Sequence, residues 1–369
     1  MRVGIDARPT QGSFTGDATY WRGLITGLSQ INSDNEFLLY LHDKLQTPEK
    51  PLSPNMRYTL LQGLNWRIWS AYSFPKALKR DRASVAHVQY SIPPFAPCPV
   101  ITSIHDVSFK RHPEFFSPKD CFILDMGVRL SKHRAARILA LSEYTKAEIC
   151  ELYSINENRV DLVYPGVDSL FRPCDREESL ELVSAKYNIT DPFVLTLGVI
   201  QPRKNLSRLL KGFAALKQDR DVRHKLVIVG KYGWMEENLT RTIADLGLTG
   251  EVLLTGYAPY EDLPYLYSGA DLFVYPSVYE GFGLPPLEAM CCGTPVITGN
   301  RSSLPEVVGD AGIMVDPYKP EAFADAISRV LVDESLHADM SRKGLEQSRK
   351  FSWERTARQV DAIYRETGI

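Results

Sequence analysis

Residues Ser277 to Thr298 read SVYEGFGLPPLEAMCCGTPVIT. Two carboxylates, Glu280 and Glu288, flank a glycine-rich turn that runs into a short helix. Pro285 and Pro286 suit the first helical turn, where a missing N–H costs nothing, and Gly293 suits the C-terminal cap. The spacing therefore predicts a helix of about two turns. The unsatisfied donors of its first turn belong to Gly281, Phe282, Gly283 and Leu284, whose backbone N–H groups can face an anion or a hydroxyl at the positive end of the helix. Glu280 lies on the loop, level with those donors. Glu288 lies about one turn further in, where a carboxylate can accept from two vicinal hydroxyls such as a ribose diol. The stretch reads as a site for a sugar nucleotide.

Two glutamates eight positions apart mean little alone, because a Glu on a surface helix is usually only solvated. The combination of Glu-Gly-Phe-Gly-Leu-Pro at 280–285, Glu-Ala-Met at 288–290 and Gly-Thr-Pro-Val-Ile at 293–297 is far more specific. It resembles the donor-site motif of the retaining glycosyltransferases of family 4, and within that family the bacterial mannosyltransferases of surface polysaccharide synthesis. The resemblance runs from the Gly4-Ile5-Asp6 strand to Phe351-Ser352-Trp353. It implies an α/β protein of GT-B architecture, with two doubly wound Rossmann-like domains facing across a cleft.

Composition is consistent with that expectation. At 369 residues the chain exceeds what one hydrophobic core usually supports, so two domains are expected. With 44% hydrophobic and 24% charged residues it is an ordinary globular chain, and a formal net charge of −2 gives no global pull toward nucleic acid. The six cysteines (Cys98, Cys121, Cys150, Cys174, Cys291 and Cys292) form no C-x-x-C pair and no zinc spacing, and no secretory leader precedes the first strand. Reduced thiols and a cytoplasmic location are the expectation. No apolar run is long enough to span a bilayer.

Short strands alternate with helical periodicities: Val3–Asp6, Glu36–Leu41, Ala86–Gln89, Val100–His105, Ile138–Leu141 and Val160–Tyr164, then Phe193–Leu197, Lys225–Val229, Val252–Thr255, Leu272–Tyr275, Pro295–Thr298 and Gly312–Val315. Such alternation argues for parallel sheets with helices on both faces and ligands at the carboxyl ends of the strands. A polar, proline-containing stretch at 165–192 separates the series. The expected division is 1–172 as the acceptor domain, 173–350 as the donor domain, and 351–369 as a helix. Ser352 is offered as its N-cap, and Ala357, Val360, Ile363 and Tyr364 as its apolar stripe. The resemblance implies that this helix crosses back onto the N-terminal domain.

Further candidates lie after other strands. Gly198-Val199-Ile200-Gln201-Pro202-Arg203-Lys204-Asn205 precedes a helix with apolar Leu206, Leu209, Leu210, Phe213 and Leu216. Two cations just ahead of a helix N-terminus oppose its dipole, which suggests an anion between them; a departing diphosphate would need that charge. Val199 stands where the family often has an Arg, so Arg203 and Lys204 are expected to carry the phosphate contacts. His105-Asp106 closes a strand at its carboxyl edge, and the resemblance implies that this pair meets the donor sugar. In the loop Gln11 to Tyr20, Gly16 stands where the family has a glycine beside the donor phosphate. Asp17 departs from the apolar or small residue expected next and is read as facing the acceptor. Tyr257 and Ala258 stand where the family's nucleobase lies against backbone groups, whereas Ser302, Ser303 and Glu306 are read as packing and capping.

The resemblance thus implies a metal-independent, retaining hexosyltransferase without a cofactor. GDP-mannose is the first donor expected and a UDP-sugar the next, with a glycan or lipid-linked acceptor. A non-hydrolysing sugar-nucleotide epimerase and a non-catalytic carbohydrate or nucleotide binding protein are the rivals. No metal-binding motif is read in the sequence, and the dinucleotide spacing G-x-G-x-x-G is absent after the first strand. The segment 65–82 sets Trp66, Trp69, Tyr72 and Phe74 beside Lys76, Lys79 and Arg80, which suits either peripheral contact with an anionic membrane or a packed helix with solvated lysines. Arg129, Lys132, His133 and Arg137 are read as a second basic helical face.

Overall fold

The structure is a computed structural model that describes residues 1–11, 15–42, 53–219, 222–231 and 239–368. Gly12, Ser13 and Phe14 of the N-terminal loop lie outside the described residues. The chain divides into two compact units, Met1–Gly166 with Phe351–Ile369, and Val167–Lys350.

The first unit is built on seven strands: β1 (Arg2–Asp6), β2 (Glu36–His42), β3 (Met56–Leu61), β4 (Val85–Gln89), β5 (Val100–Ile104), β6 (Arg137–Ala140) and β7 (Val160–Leu162). They pair in the order β3-β2-β1-β4-β5-β6-β7, and every pair is parallel. Every residue of β5 is buried, as expected of a central strand covered on both faces. β3 has no counterpart in the sequence reading. It is an edge strand that leaves Arg57 and Leu60 in solvent, so its apolar pattern is weak.

The second unit carries β8 (Phe193–Leu197), β9 (Lys225–Val229), β10 (Val252–Gly256), β11 (Leu272–Tyr275), β12 (Val296–Gly299) and β13 (Ile313–Val315). Their order is β10-β9-β8-β11-β12-β13, again wholly parallel. Its core gathers Leu209, Leu210, Phe213 and Leu216 from the helix Leu206–Asp219 against Val194, Ile228, Val274 and Phe323.

Two details bear on the expected division. Residues 167–172 belong to the second unit, because Phe171 packs edge-on against Tyr260 and Tyr267 with ring centroids 5.3 and 6.0 Å away. The helix Trp353–Thr367, capped by Ser352, belongs to the first. It lies along the helix Gly16–Gln30, where a Cβ on Gly23 would sit 1.9 Å from the Trp353 ring and one on Gly27 would sit 2.3 Å from the Trp353 carbonyl oxygen. Ser33 and Asn35 donate to Asp361 Oδ1 at 2.7 and 2.8 Å, and Thr356 Oγ1 donates to the Tyr164 carbonyl at 2.6 Å.

Candidate active site

In a doubly wound sheet the loops that leave the carboxyl ends of the strands on either side of the order reversal diverge and open a crevice. In the second unit those strands are β8 and β11. The loop after β8 turns through a short 3-10 helix, Pro202–Lys204, and the loop after β11 runs from Pro276 into the helix Leu284–Cys291. Asn205, in the left-handed region at φ 59°, joins them by donating Nδ2 to the carbonyls of Pro276 and Pro317 at 3.0 and 2.7 Å. The Val278 N–H donates to the Arg203 carbonyl at 3.0 Å, and the Ser277 hydroxyl oxygen lies 3.0 Å from the same carbonyl.

The side chain of Lys204 consequently turns inward. Its Nζ donates to Glu280 Oε1 at 2.7 Å and to the Tyr275 hydroxyl, while Ser277 Oγ donates to the same Glu280 oxygen at 2.5 Å. Both members of the ion pair are close to buried, at 12% and 8% exposure. Burial alone would raise the Glu280 carboxyl, but the charges of Lys204 and Arg203 and the hydrogen bonds from Lys204 and Ser277 outweigh it and hold it below the usual range. The anion that the sequence leads one to seek beside Lys204 is thus, in the protein itself, Glu280. A recess lined by Gly198, Val199, Lys204, Tyr275 and Pro276 lies beside this pair.

Glu288 behaves differently. It is buried on the helix Leu284–Cys291, and its Oε2 accepts from the Tyr267 hydroxyl at 2.9 Å. Burial pushes its pKa up to about 7, the Tyr267 hydrogen bond pulls it down, and the charge of Asp168 pushes it up again. Tyr267 is fixed in turn by its ring contact with Phe273 at 5.3 Å and by Thr294, whose hydroxyl donates to the Tyr267 carbonyl at 2.7 Å. No motif singles out Tyr267 in the sequence.

The helix Leu284–Cys291 starts with Pro285 and Pro286 in its first turn, as their positions predict. Gly283 precedes it at φ 114°, where a Cβ would be strained and would meet Leu304 Cδ2 at 2.9 Å. Ser303 Oγ bridges the carbonyls of Glu280 and Phe282 at 2.9 and 2.6 Å, and the Glu280 N–H donates to Ser302 Oγ at 2.9 Å, so the two serines hold the loop. Gly281 and Phe282 are buried within it. Tyr257 is 46% exposed with Lys231 Nζ 4.4 Å from its ring centroid, and Ala258 is buried.

In the first unit, His105 follows β5 and is buried. Its Nδ1 lies 2.7 Å from Asp17 Oδ1. Asp17 therefore has a partner inside the first unit, which the reading as an acceptor-facing residue does not include. Asp106 Oδ1 accepts from the Ser108 N–H and hydroxyl at 2.9 and 2.6 Å, at the start of the turn Ser108–Arg111. Gly16 opens the helix Gly16–Gln30, and a Cβ there would meet no described atom within 4 Å. Beneath these residues, His87 Nδ1 lies 2.6 Å from the Tyr364 hydroxyl and Nε2 lies 2.8 Å from Ser103 Oγ. Burial, with a smaller push from His105, takes His87 down to about 3, so it is a neutral core histidine.

The aromatic-basic segment divides. Trp69 is core, stacked on Phe74 at 5.1 Å with the Arg8 guanidinium 3.7 Å from its ring centroid, whereas Leu64, Trp66, Ile68 and Tyr72 are exposed. Lys76, Lys79 and Arg80 are exposed as well, Arg80 being paired with Asp81 at 2.7 Å. The second basic face does not form as expected. Arg137 lies on β6 and pairs with Asp161, and Arg129 pairs with Asp125 one turn away at 2.6 Å. Among the described residues no helix is long and apolar enough to cross a membrane, and no group of three or more His, Cys, Asp or Glu is placed to hold a metal ion.

A crevice with paired cations, a helix N-terminus and two buried carboxylates is suited to a diphosphate and to the hydroxyls of a sugar or ribose. Residues 181–347 match the family model described as glycosyl transferases group 1, and residues 18–169 match that of glycosyltransferase family 4. The O-antigen chain mannosyltransferase B of Escherichia coli is 36% identical over 266 residues, which cover 72% of this chain and 70% of that protein. The serotype-specific mannosyltransferase WbdA of Escherichia coli is 35% identical over 227 residues, which cover 61% of this chain and only 28% of that longer protein. Among solved structures, a sucrose-phosphate synthase from Thermosynechococcus elongatus matches with a TM-score of 0.79 at 20% identity, over 99% of this chain and 98% of that one, a likeness of fold. With both halves matched and the fold shared, the chain belongs to glycosyltransferase family 4 and has the GT-B fold.

Proposed function

We propose that this glycosyltransferase moves a hexose, with mannose the first choice, from a nucleoside-diphosphate sugar to a glycan or lipid-linked acceptor, with retained anomeric configuration and without a metal. The observation that carries this reading is the Lys204–Glu280 pair at the order reversal of the second sheet, backed by Arg203 and by the N-terminus of Leu284–Cys291. In this reading Arg203, Lys204 and the N–H groups of 281–284 neutralise the diphosphate as the glycosidic bond breaks, and the departing phosphate helps deprotonate the acceptor on the same face. Glu280 orients Lys204 and the sugar, and Glu288 accepts from the ribose diol. The backbone at Tyr257 and Ala258 meets the base, Gly16 leaves room beside the phosphate, and His105 and Asp106 receive sugar hydroxyls. The names of the two Escherichia coli relatives support mannose; GDP-mannose is the first donor to test and a UDP-sugar the second.

The decisive experiment is incubation of purified protein with GDP-mannose, UDP-glucose or UDP-galactose, with and without oligosaccharide or lipid-linked acceptors, while free nucleoside diphosphate is measured and the product anomer is read by NMR. Retention with one donor, undiminished in EDTA, is expected. Inversion, or loss in EDTA restored by magnesium or manganese, overturns the mechanistic part. Conversion of donor without acceptor identifies the epimerase, and binding without turnover identifies a carbohydrate-binding protein.

Exposed Leu64, Trp66, Ile68 and Tyr72 beside Lys76 and Lys79 support peripheral contact with an anionic leaflet on the cytoplasmic side. Co-sedimentation with anionic vesicles at low salt should fall when Trp66, Tyr72, Lys76 and Lys79 are changed together to Ser. Indifference of the wild-type protein to such vesicles overturns the membrane contact and favours a soluble acceptor.

A further inference from the structure

His105 is more than nine-tenths buried, at 7% exposure, and its two ring nitrogens have unequal surroundings. Nδ1 lies 2.7 Å from Asp17 Oδ1, and Nε2 is buried with no hydrogen-bond partner among the described residues. An ionised carboxylate has no proton to give, so the proton in the Asp17 contact belongs to the imidazole. A neutral ring with its proton on Nδ1 carries a lone pair on Nε2. A buried acceptor left unmet is costly, and a hydroxyl donor is the group that satisfies it.

The surroundings hold this arrangement. Asp17 lies in the first turn of the helix Gly16–Gln30, capped by Thr15, where the positive end of the helix favours a carboxylate. Tyr20, one turn further along the same helix, meets the His105 ring edge-on with centroids 4.6 Å apart, and Tyr90 lies 6.1 Å away. Tyr20 is itself tied to Ser103 by a 3.3 Å hydrogen bond, so the plane of the imidazole is fixed as well as its contact to Asp17. An acid at position 17 is also a departure from the small or apolar residue that the family resemblance leads one to expect there.

We propose that Asp17 is a positioning residue: it holds His105 as the Nδ1–H tautomer and thereby presents Nε2 as a hydrogen-bond acceptor to a hydroxyl of the sugar substrate. The proposal rests on the reading of His105 as a residue that meets sugar hydroxyls, and it adds what sets the direction of that hydrogen bond. The Asp–His–Ser arrangement of serine proteases uses a carboxylate behind an imidazole in the same way.

The test uses the full chain labelled with ¹⁵N at histidine, with the ring nitrogens of His105 assigned by the signals that vanish in His105→Gln. The expected wild-type spectrum at neutral pH shows Nδ1 protonated and Nε2 bare, and Asp17→Ala shifts the ring toward the Nε2–H form. A proton on Nε2 in the wild type, or a tautomer unmoved by Asp17→Ala, overturns the proposal without touching the glycosyltransferase reading. In the activity assay Asp17→Asn should lower kcat about tenfold or more while donor KM stays within about twofold, because direction of a hydrogen bond rather than site shape is lost. If the tautomer is as stated but Asp17→Asn and His105→Gln both turn over normally, the sugar contact of His105 falls and only the tautomer assignment stands.

Discussion

Both units place their candidate residues at the carboxyl ends of wholly parallel strands, yet the two sites are made of different material. The second unit arranges ionic charge: Lys204 against Glu280 with Arg203 nearby, and the buried acid Glu288 one turn into the helix Leu284–Cys291. The first arranges hydrogen-bond direction: His105 on Asp17, above a neutral chain that runs from Tyr364 through His87 and Ser103 to Tyr20. Charge is what a diphosphate requires, and direction is what separates one hydroxyl of a sugar from another. Two buried groups follow the same division, Glu288 driven up in the second unit and His87 driven down in the first, so these two contributions are lost at opposite ends of the pH scale.

The largest effect is expected at Lys204. Lys204→Met should lower turnover by about 10²-fold or more, as loss of one transition-state stabiliser does. It should also destabilise the protein by about 3–5 kcal/mol, because Glu280 is left buried without its ammonium. The double change Lys204→Met with Glu280→Gln should recover most of that stability and none of the activity. If urea titrations show no recovery, the pair is not coupled and the charge-based half of the comparison breaks.

Next in size is Glu288. The unfolded chain releases this proton near pH 4.5 and the folded one near 7, so its contribution is fully present below 4.5 and is lost as the pH rises to about 7. Glu288→Gln should therefore stabilise the ligand-free protein by about 3 kcal/mol at pH 8 and change little at pH 4.5, while weakening donor binding. A stability gain equal at both pH values would show that burial of the carboxylate is not its cause.

The smallest of the three concerns His87. Its folded ring stays neutral down to about pH 3, whereas the unfolded ring takes up a proton below 6.5; stability is present above 6.5 and is lost as the pH falls. About 1.4 kcal/mol should be gone by pH 5.5. Trp234→Phe leaves Trp21, Trp66, Trp69 and Trp353 as the fluorescent residues, all in the first unit, so their emission follows that unit alone. An acid-stable, alkali-sensitive first unit would invert the comparison.

The strands of the sheet interiors and the helix Leu284–Cys291 were legible because their causes are local: continuous apolar runs in one case, paired prolines and a following glycine in the other. The edge strand β3 was not, since half-exposed residues carry a weak pattern. Arg203, Lys204, Glu280 and Glu288 stood out by motif, but what they do to each other did not. Lys204 and Glu280 are 76 positions apart and meet only because the strand order makes β8 and β11 neighbours. The sequence offers Lys204 only as a loop cation that contacts phosphate, and its pairing makes it a structural residue as well. Tyr267 behind Glu288 carries no local pattern, and Asp17 stands out only as a departure from the residue expected there, with nothing local to tie it to His105. Their roles come from packing, which also separates buried Trp69 from exposed Trp66 three positions earlier.

The helix Trp353–Thr367 completes a unit whose other residues end at Gly166. During synthesis the first sheet emerges early, but the groove at Gly23 and Gly27 stays open and His87 lacks its Tyr364 partner until residues beyond 350 have been made. All of the second unit is translated in that interval, which at the usual pace of synthesis lasts on the order of ten seconds or more. The nascent first unit is therefore an incomplete body with an uncovered apolar seam, and the second unit, though made later, is the one able to finish folding without waiting for a distant part of the chain.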